Sequence, residues 1–129
     1  MSVVENKTLI HRYIDEVWNK GSVDIIDELY DPSFSGGGYG GIPELRTAIS
    51  SYRSSFPDLH FTIEDAVAED ERIAFRWIAR GTHQGAFAGI AATGKPITVT
   101  GITILRIVDG KIIDDRSETT NHTLAEQLE

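Results

Sequence analysis

The spacing of apolar residues predicts a long amphipathic helix at the start of the chain. From Glu5 to Lys20 the apolar positions recur every three or four residues, as on one stripe of an α-helix. These positions are Leu9, Ile10, Tyr13, Ile14, Val17 and Trp18. Ser2 and Glu5 fit a capping box at its beginning, and Gly21 fits its end.

Two further helices are predicted in the first half of the chain. Ser22 can cap a short helix that ends before Pro32, because proline pushes the preceding residue out of the helical region. Pro43 suits the first turn of a third helix, which runs to about Phe56. The glycine-rich stretch 35–41 between these helices is expected to form a loop.

After Pro57 the apolar period changes from helical spacing to strict alternation, which is typical of strands with one buried face. The predicted strands are 59–67, 73–79, 97–108 and 111–120. The pair Asp109-Gly110 predicts a tight hairpin between the last two. Helices followed by a sheet indicate an α+β fold, with residues 1–129 forming a single domain.

The predicted hairpin also sets a register between the last two strands. A two-residue loop pairs Val108 with Lys111. The same register sets Thr103 opposite Arg116, Gly101 opposite Glu118 and Val99 opposite Thr120. Arg116, Glu118 and Thr120 then share one face of the sheet. The pattern alone leaves open whether this face meets solvent or an internal cavity.

Composition narrows the classes of function. The chain has 129 residues and a formal net charge of −8, which opposes binding to nucleic acid. It contains no cysteine, which excludes disulfides and thiolate chemistry, and its four histidines lack metal-ligand spacing, so no metal is expected. Since no leader pattern or membrane-length apolar run is present, a cytoplasmic protein without membrane contact is expected.

Several separated motifs, in order, resemble the SnoaL-like polyketide cyclase and ester cyclase family, within the nuclear-transport-factor-two-like superfamily. They are NKTLIHRYIDEVWNKGSVDIIDELYDPSF, then FPDLHFTIEDAVAEDERIAFRWIARGTHQGAFAGIAATGKPITVTGITILRIVDGKI, and the closing Leu124 to Leu128. The resemblance implies a cone-shaped α+β barrel, in which three helices close over a curved, mixed, mainly antiparallel sheet around a deep apolar pocket. It also implies a homodimer joined through the outer face of the sheet, which would suit Ile102 and Ile104.

The resemblance also implies where chemistry would lie. The family places a His-Trp pair in its last strand, followed four residues after the Trp by a carboxylate. These positions are held here by Asp115, Arg116 and Thr120. A histidine that the family usually carries after the DPSF-like motif is absent too, so its standard machinery is not carried over. The residues that do match are His83, Trp77 and Asp58.

Glu118 is therefore the substitute candidate for proton transfer. Paired with Arg116 it stays ionised, as a base or as half of a structural ion bridge, whereas unpaired in an apolar pocket its pKa would rise. Arg116 is expected to stabilise a developing oxyanion, and Thr120 and Thr103 to orient the substrate. His83 either relays a proton or only caps the adjacent loop.

The remaining candidates form the pocket wall. They are the aromatic residues Trp77, Phe56, Phe87, Tyr13 and Trp18, with Asp58 as a further substrate-binding candidate, and Tyr39 placed to cover the pocket mouth. The first hypothesis is a cofactor-independent cyclase or isomerase acting by acid-base chemistry on a hydrophobic, polyketide-like or other secondary-metabolite molecule. The alternatives are a non-catalytic protein that binds a small molecule in the same pocket, and a dimeric interaction domain without a ligand.

Overall fold

The computed structural model describes residues 3–36, 38–120 and 123–129. Helical regions precede the sheet, and one short helix follows it. They are α1 (Val3–Arg12), which continues as a π-helical segment (Tyr13–Asn19), a 3-10 turn (Val23–Ile25) leading into α2 (Ile26–Leu29), α3 (Ile42–Ser55) and α4 (Leu124–Gln127). Ser2, the expected capping residue of the first helix, lies outside the described residues.

Four strands follow the helices, as the alternating pattern predicts. They are β1 (His60–Glu69), β2 (Arg72–Thr82), β3 (Pro96–Val108) and β4 (Lys111–Thr119). Each strand pairs with its sequence neighbour in antiparallel fashion, in the order β1-β2-β3-β4. The α+β fold class is confirmed. Within the described residues the four strands form an open sheet rather than a closed barrel, and the parallel element is a single bridge from Tyr30 to Ile112.

The second half of the first helix differs from the α-helix expected there. The Lys20 N–H donates to the carbonyl of Asp15, five residues earlier, at 3.1 Å, which is the hydrogen bond of a π-helix. This wider turn brings side chains five residues apart onto one face. Tyr13 and Trp18 are such a pair, and the Trp18 Nε1–H donates to the Tyr13 hydroxyl at 3.0 Å. The amphipathic stripe was predicted, but the change of helix type was not.

The core lies between the helices and the inner face of the sheet. Along β3, buried and exposed residues alternate with period two, so that Leu105 and Ile107 face the helices while Ile102 and Ile104 face away. Asn19, at the end of the π-helical segment, fixes the helix to the edge strand. Its amide accepts the Phe61 N–H at 2.6 Å and donates to the Phe61 carbonyl at 3.1 Å. None of the described helices is long and apolar enough to span a membrane.

A β-bulge in β4 shifts the register expected from the hairpin. Val108 pairs with Lys111, as predicted, and Ile107 pairs with Ile112, but Arg106 then pairs with Asp114, so that Ile113 is the extra residue. The preceding chain contacts β4 at this point, because the Asp31 N–H donates to the Ile112 carbonyl at 2.9 Å.

The bulge exchanges the two faces of the rest of β4, because one extra residue turns every later side chain to the opposite side. Thr103 lies opposite Ser117 rather than Arg116, and Glu118 lies opposite Ile102 rather than Gly101. The expected inward placement of Glu118 and Arg116 is therefore wrong. Both are exposed on the outer face, while Asp115 is buried on the inner face.

Candidate active site

A cavity of about 70 Å³ lies between the π-helical segment, the C-terminal part of α3 and the inner face of the sheet. Eight aromatic side chains line it, together with aliphatic residues. The polar part of the lining is concentrated on β3 and β4. It consists of Thr103, Asp115, Ser117 and Thr119. Asp115 is the single charged side chain among the lining residues of the described chain.

A chain of hydrogen bonds across three strands ends on the Asp115 carboxylate. The Trp77 Nε1–H donates to Thr103 Oγ1 at 2.9 Å, Thr103 Oγ1 lies 2.8 Å from Ser117 Oγ, and the Ser117 hydroxyl donates to Asp115 Oδ1 at 2.9 Å. Since the proton of Ser117 is used toward Asp115, the middle bond requires Thr103 to donate to Ser117. All three donors therefore point toward the carboxylate.

The environment of Asp115 brings its proton affinity close to neutral pH. Burial raises the pKa of Asp115 to about 6, the hydrogen bond from Ser117 opposes that rise, and the neighbouring Asp114 charge adds to it. Asp115 is 4% exposed and lines the cavity. A buried carboxylate with a pKa near neutrality is suited to take up and return a proton.

The charge of this carboxylate also acts on tyrosines that line the cavity. Burial raises the pKa of Tyr13 well above its ordinary value, and the charge of Asp115 adds to the rise, so the phenol stays protonated. Burial, and then the same charge, likewise raise the pKa of Tyr39. The Tyr13 oxygen accepts the Trp18 N–H, so the Tyr13 hydroxyl proton is not used in that hydrogen bond.

Gly101 makes room for the indole at the start of the chain of hydrogen bonds. It pairs directly with Trp77, and a Cβ at this position would overlap Cζ2 of the indole and lie 2.8 Å from its Cε2. The indole therefore lies across the glycine, and its N–H reaches Thr103, two residues further along β3. The predicted register places Glu118 opposite Gly101, whereas in the structure the Trp77 indole fills the space at this glycine.

The structure brings about half of the predicted site residues to the cavity. Those that line it are Tyr13, Trp18, Tyr39, Phe56, Trp77 and Thr103. Phe87 lies one layer behind, where its ring packs against Tyr52 and Phe56 with centroid distances of 5.9 and 5.4 Å. Their roles in binding a substrate remain predictions.

The three polar residues expected on the last strand lie away from the cavity. The side chain of Arg116 is 83% exposed and pairs with Asp114 at 3.3 Å. Glu118 lines a groove on the outer face of the sheet, beside Ile102. Thr120 accepts the Thr100 N–H at 2.9 Å at the end of β4 and borders the same groove. The reason for all three is the one-residue shift at Ile113.

His83 and Asp58 hold the chain around the cavity rather than lining it. His83 is fully buried, and its Nδ1 accepts the Thr93 N–H at 3.2 Å, which ties the loop after β2 together. The interpretation of His83 as a loop cap accounts for these contacts. Asp58 accepts the N–H and the hydroxyl of Thr82, each at 2.7 Å, and these bonds lower its pKa.

Sequence reasoning missed Asp115, Ser117 and Thr119 as site residues. The missed signal is the doublet pattern of β4, in which two isoleucines, Ile112 and Ile113, are followed by two acidic residues, Asp114 and Asp115. Such repeats break strict alternation and indicate a bulge. Among the described residues, no group of three or more His, Asp or Glu side chains is arranged to hold a metal ion.

Comparisons with known proteins agree with this architecture. The model of the SnoaL-like polyketide cyclase family matches residues 8–128. TsrD from Streptomyces laurentii is similar over 99% of this chain and 97% of its own, with 26% identity and a TM-score of 0.89. No curated protein sequence matches the chain.

Two further solved structures are similar at comparable identity. AclR from Streptomyces galilaeus, provisionally described as a hydroxylase, is 25% identical over 98% of this chain and 97% of its own, with a TM-score of 0.88. IdmH from Streptomyces antibioticus, provisionally described as a polyketide cyclase, is 26% identical over 95% of this chain and 96% of its own, with a TM-score of 0.82.

Replacing Gly101 with alanine should displace the Trp77 indole. We expect Gly101→Ala to lower the free energy of unfolding by about 1 to 3 kcal/mol, the cost typical of overpacking, and to change tryptophan fluorescence. Denaturant titration measures both. In the Gly101→Ala background, Trp77→Phe should recover part of the loss, because the smaller ring relieves the overlap. An unchanged spectrum in Gly101→Ala, or no recovery in the double variant, contradicts this packing.

The raised pKa of Asp115 predicts a pH-dependent stability effect of Asp115→Asn. Below about pH 3 the carboxyl is protonated whether the chain is folded or unfolded, so its ionisation costs nothing. Well above pH 6 it is ionised in both states and disfavours the folded one. The variant should therefore gain about 3 kcal/mol relative to wild type between pH 3 and pH 8. Asp65→Asn, at an exposed position of β1, is the control. A pH-independent difference for Asp115→Asn would contradict the assignment.

Proposed function

Because the chain belongs to the SnoaL-like polyketide cyclase family, we propose that it catalyses proton transfer on a small hydrophobic molecule, with Asp115 as the group that takes and returns the proton. The observation that carries this proposal is the burial of this single charged side chain in an aromatic cavity, with its pKa at about 6. Among reactions that begin with such a proton transfer, cyclisation and isomerisation need no reagent besides the substrate.

The proposed reaction begins with removal of an acidic proton from the substrate by the Asp115 carboxylate. The hydrogen bond from Ser117 occupies Oδ1 and orients the group, so that Oδ2 is the oxygen that takes the proton. As negative charge develops on the carbonyl oxygen of the substrate, the Tyr13 hydroxyl is suited to donate a hydrogen bond to it. The fully protonated state of Tyr13 at neutral pH supports this role.

The second half of the reaction returns the proton. In an isomerisation, the enolate takes the proton back from Asp115 at another carbon. In a cyclisation, the enolate carbon attacks a second carbonyl of the same molecule, and the resulting alkoxide takes the proton instead. In both cases the proton is returned, no electron is gained or lost, and no cofactor is required. Asp115 and Tyr13 thus take the roles that the sequence alone suggested for Glu118 and Arg116.

Paired variants of β4 test which carboxylate acts. The probe is the isomerisation of cyclohex-3-enone to the conjugated cyclohex-2-enone, which moves one proton and is followed by ultraviolet absorbance. Asp115→Asn should lower kcat by about 10²- to 10⁴-fold, the range for loss of a positioned base. Glu118→Gln should leave the rate unchanged, because its side chain lies on the outer face. Loss of rate in Glu118→Gln with an unaffected Asp115→Asn would contradict the proposal.

The non-catalytic alternative rests on a different observation. The positions of the family's His-Trp pair and carboxylate hold Asp115, Arg116 and Thr120 in this chain. A carrier would bind the enone and its product without converting one into the other. Binding measured by calorimetry, together with a wild-type rate equal to that of buffer, would favour the carrier over the enzyme.

We further propose that the chain forms a homodimer through the outer face of the sheet. Val67, Ile102 and Ile104 are 65%, 50% and 43% exposed there, although they are large and apolar. The ion pair of Arg76 with Glu64, at 3.7 Å, borders this apolar surface. A surface of this kind can contact its own copy across a two-fold axis.

Ile104→Lys should convert the dimer to a monomer, because it places a charge in the proposed interface. Sedimentation at micromolar concentration measures the change. Thr98→Lys, at the far end of the same exposed face of β3, is the control and should remain dimeric. A wild-type protein that sediments as a monomer would contradict the proposal.

A further inference from the structure

The size of the cavity limits what it can hold. Its free volume is about 70 Å³. A dry apolar cavity of about 150 Å³ holds one benzene molecule. A single six-membered ring is therefore enclosed only if the surrounding side chains move slightly, and a molecule with three or more fused rings cannot be enclosed unless the walls separate.

The walls are poorly suited to separate, because their rings pack against one another. Phe61 packs on Trp18 with its ring centroid 5.1 Å away and on Trp77 at 5.0 Å. Trp18 also contacts Tyr52 at 6.3 Å and is hydrogen-bonded to Tyr13. Moving one of these rings disturbs the packing of the others, which is costly in a close-packed interior.

The charge of the lining limits the substrate in a second way. Asp115 is the charged group of the cavity, and no Lys, Arg or His of the described chain lines it. A carboxylate, phosphate or sulfate placed beside Asp115 would meet a like charge at low dielectric constant. A cation would pair with Asp115 and prevent it from acting as a base. To an uncharged ligand, the polar wall of the cavity offers an acceptor oxygen beside hydroxyl groups.

From this combination we infer that the substrate is an uncharged molecule with a single ring, which presents a hydroxyl or an acidic C–H to Asp115. This inference rests on the proposed function in identifying the occupant of the cavity as the substrate. It narrows the proposed function, since it excludes multi-ring and anionic compounds as substrates of this chain. The limit on size follows from the tight aromatic wall. The limit on charge follows from the carboxylate, which has no cationic side chain beside it among the described lining residues.

Equilibrium binding of matched ligands tests the inference without any turnover. By calorimetry at pH 8, phenol should bind the wild-type protein at least tenfold more tightly than benzoate, which has one ring and a negative charge. It should also bind at least tenfold more tightly than 9-anthracenemethanol, which is uncharged and has three rings. Tighter binding of benzoate or of the three-ring alcohol than of phenol would overturn the inference.

Variants separate the two determinants. Asp115→Asn should reduce the preference for phenol over benzoate at least fivefold and leave the three-ring alcohol excluded. Phe61→Ala, with folding checked by circular dichroism, should admit the three-ring alcohol and still reject benzoate. Asp65→Asn should change neither preference. If Asp115→Asn leaves the charge preference intact, the inference is wrong.

Two remaining outcomes distinguish this inference from the proposed function. Tighter binding of benzylammonium than of phenol would make Asp115 a counter-ion and would overturn the inference that the substrate is uncharged. If the ligand preferences are as expected but cyclohex-3-enone is bound and not isomerised, the proposed catalysis fails while the selectivity for small uncharged rings stands.

Discussion

Desolvation of a single carboxylate, opposed by one chain of hydrogen bonds, is the interaction on which the candidate site depends. Asp115 lies on the inner face of β4, where burial favours its neutral form. The hydroxyl of Ser117 favours the charged form, and Thr103 and Trp77 hold that hydroxyl in place. Because the two effects oppose each other, the carboxyl group can exist in either protonation state near neutral pH.

The other features of the site can be understood as consequences of keeping this group buried. Gly101 lets the Trp77 indole lie where it begins the chain of donors. The π-helical turn brings Tyr13 and Trp18 side by side, so that the phenol faces the cavity with its oxygen already engaged. The aromatic rings surround the carboxyl group with apolar surface, and such low-dielectric surroundings strengthen its electrostatic interactions. A candidate site of this design uses few polar groups and depends on the burial of one carboxylate.

Much of the fold could be predicted from the chain, because hydrophobic period and turn chemistry are local signals. The alternation along β3 and the hairpin at Asp109-Gly110 were both predicted, and the pairing of Val108 with Lys111 was found. The polar residues of the site could not be placed in the same way. An extra residue in a strand reverses the facing of every residue after it. The one extra residue at Ile113 therefore turns Asp115 inward and Glu118 outward. Only the doublets Ile112-Ile113 and Asp114-Asp115 hinted at it.

The central claim is that Asp115 is a buried carboxyl group with a proton affinity near neutrality. The direct test is a ¹³C NMR titration of the aspartate carboxyl carbons, with the Asp115 signal identified by its absence in Asp115→Asn. A midpoint at about pH 6 is the expected result. A midpoint near 4, the ordinary value for a solvated aspartate, would show that the group is hydrated and would contradict the site described above.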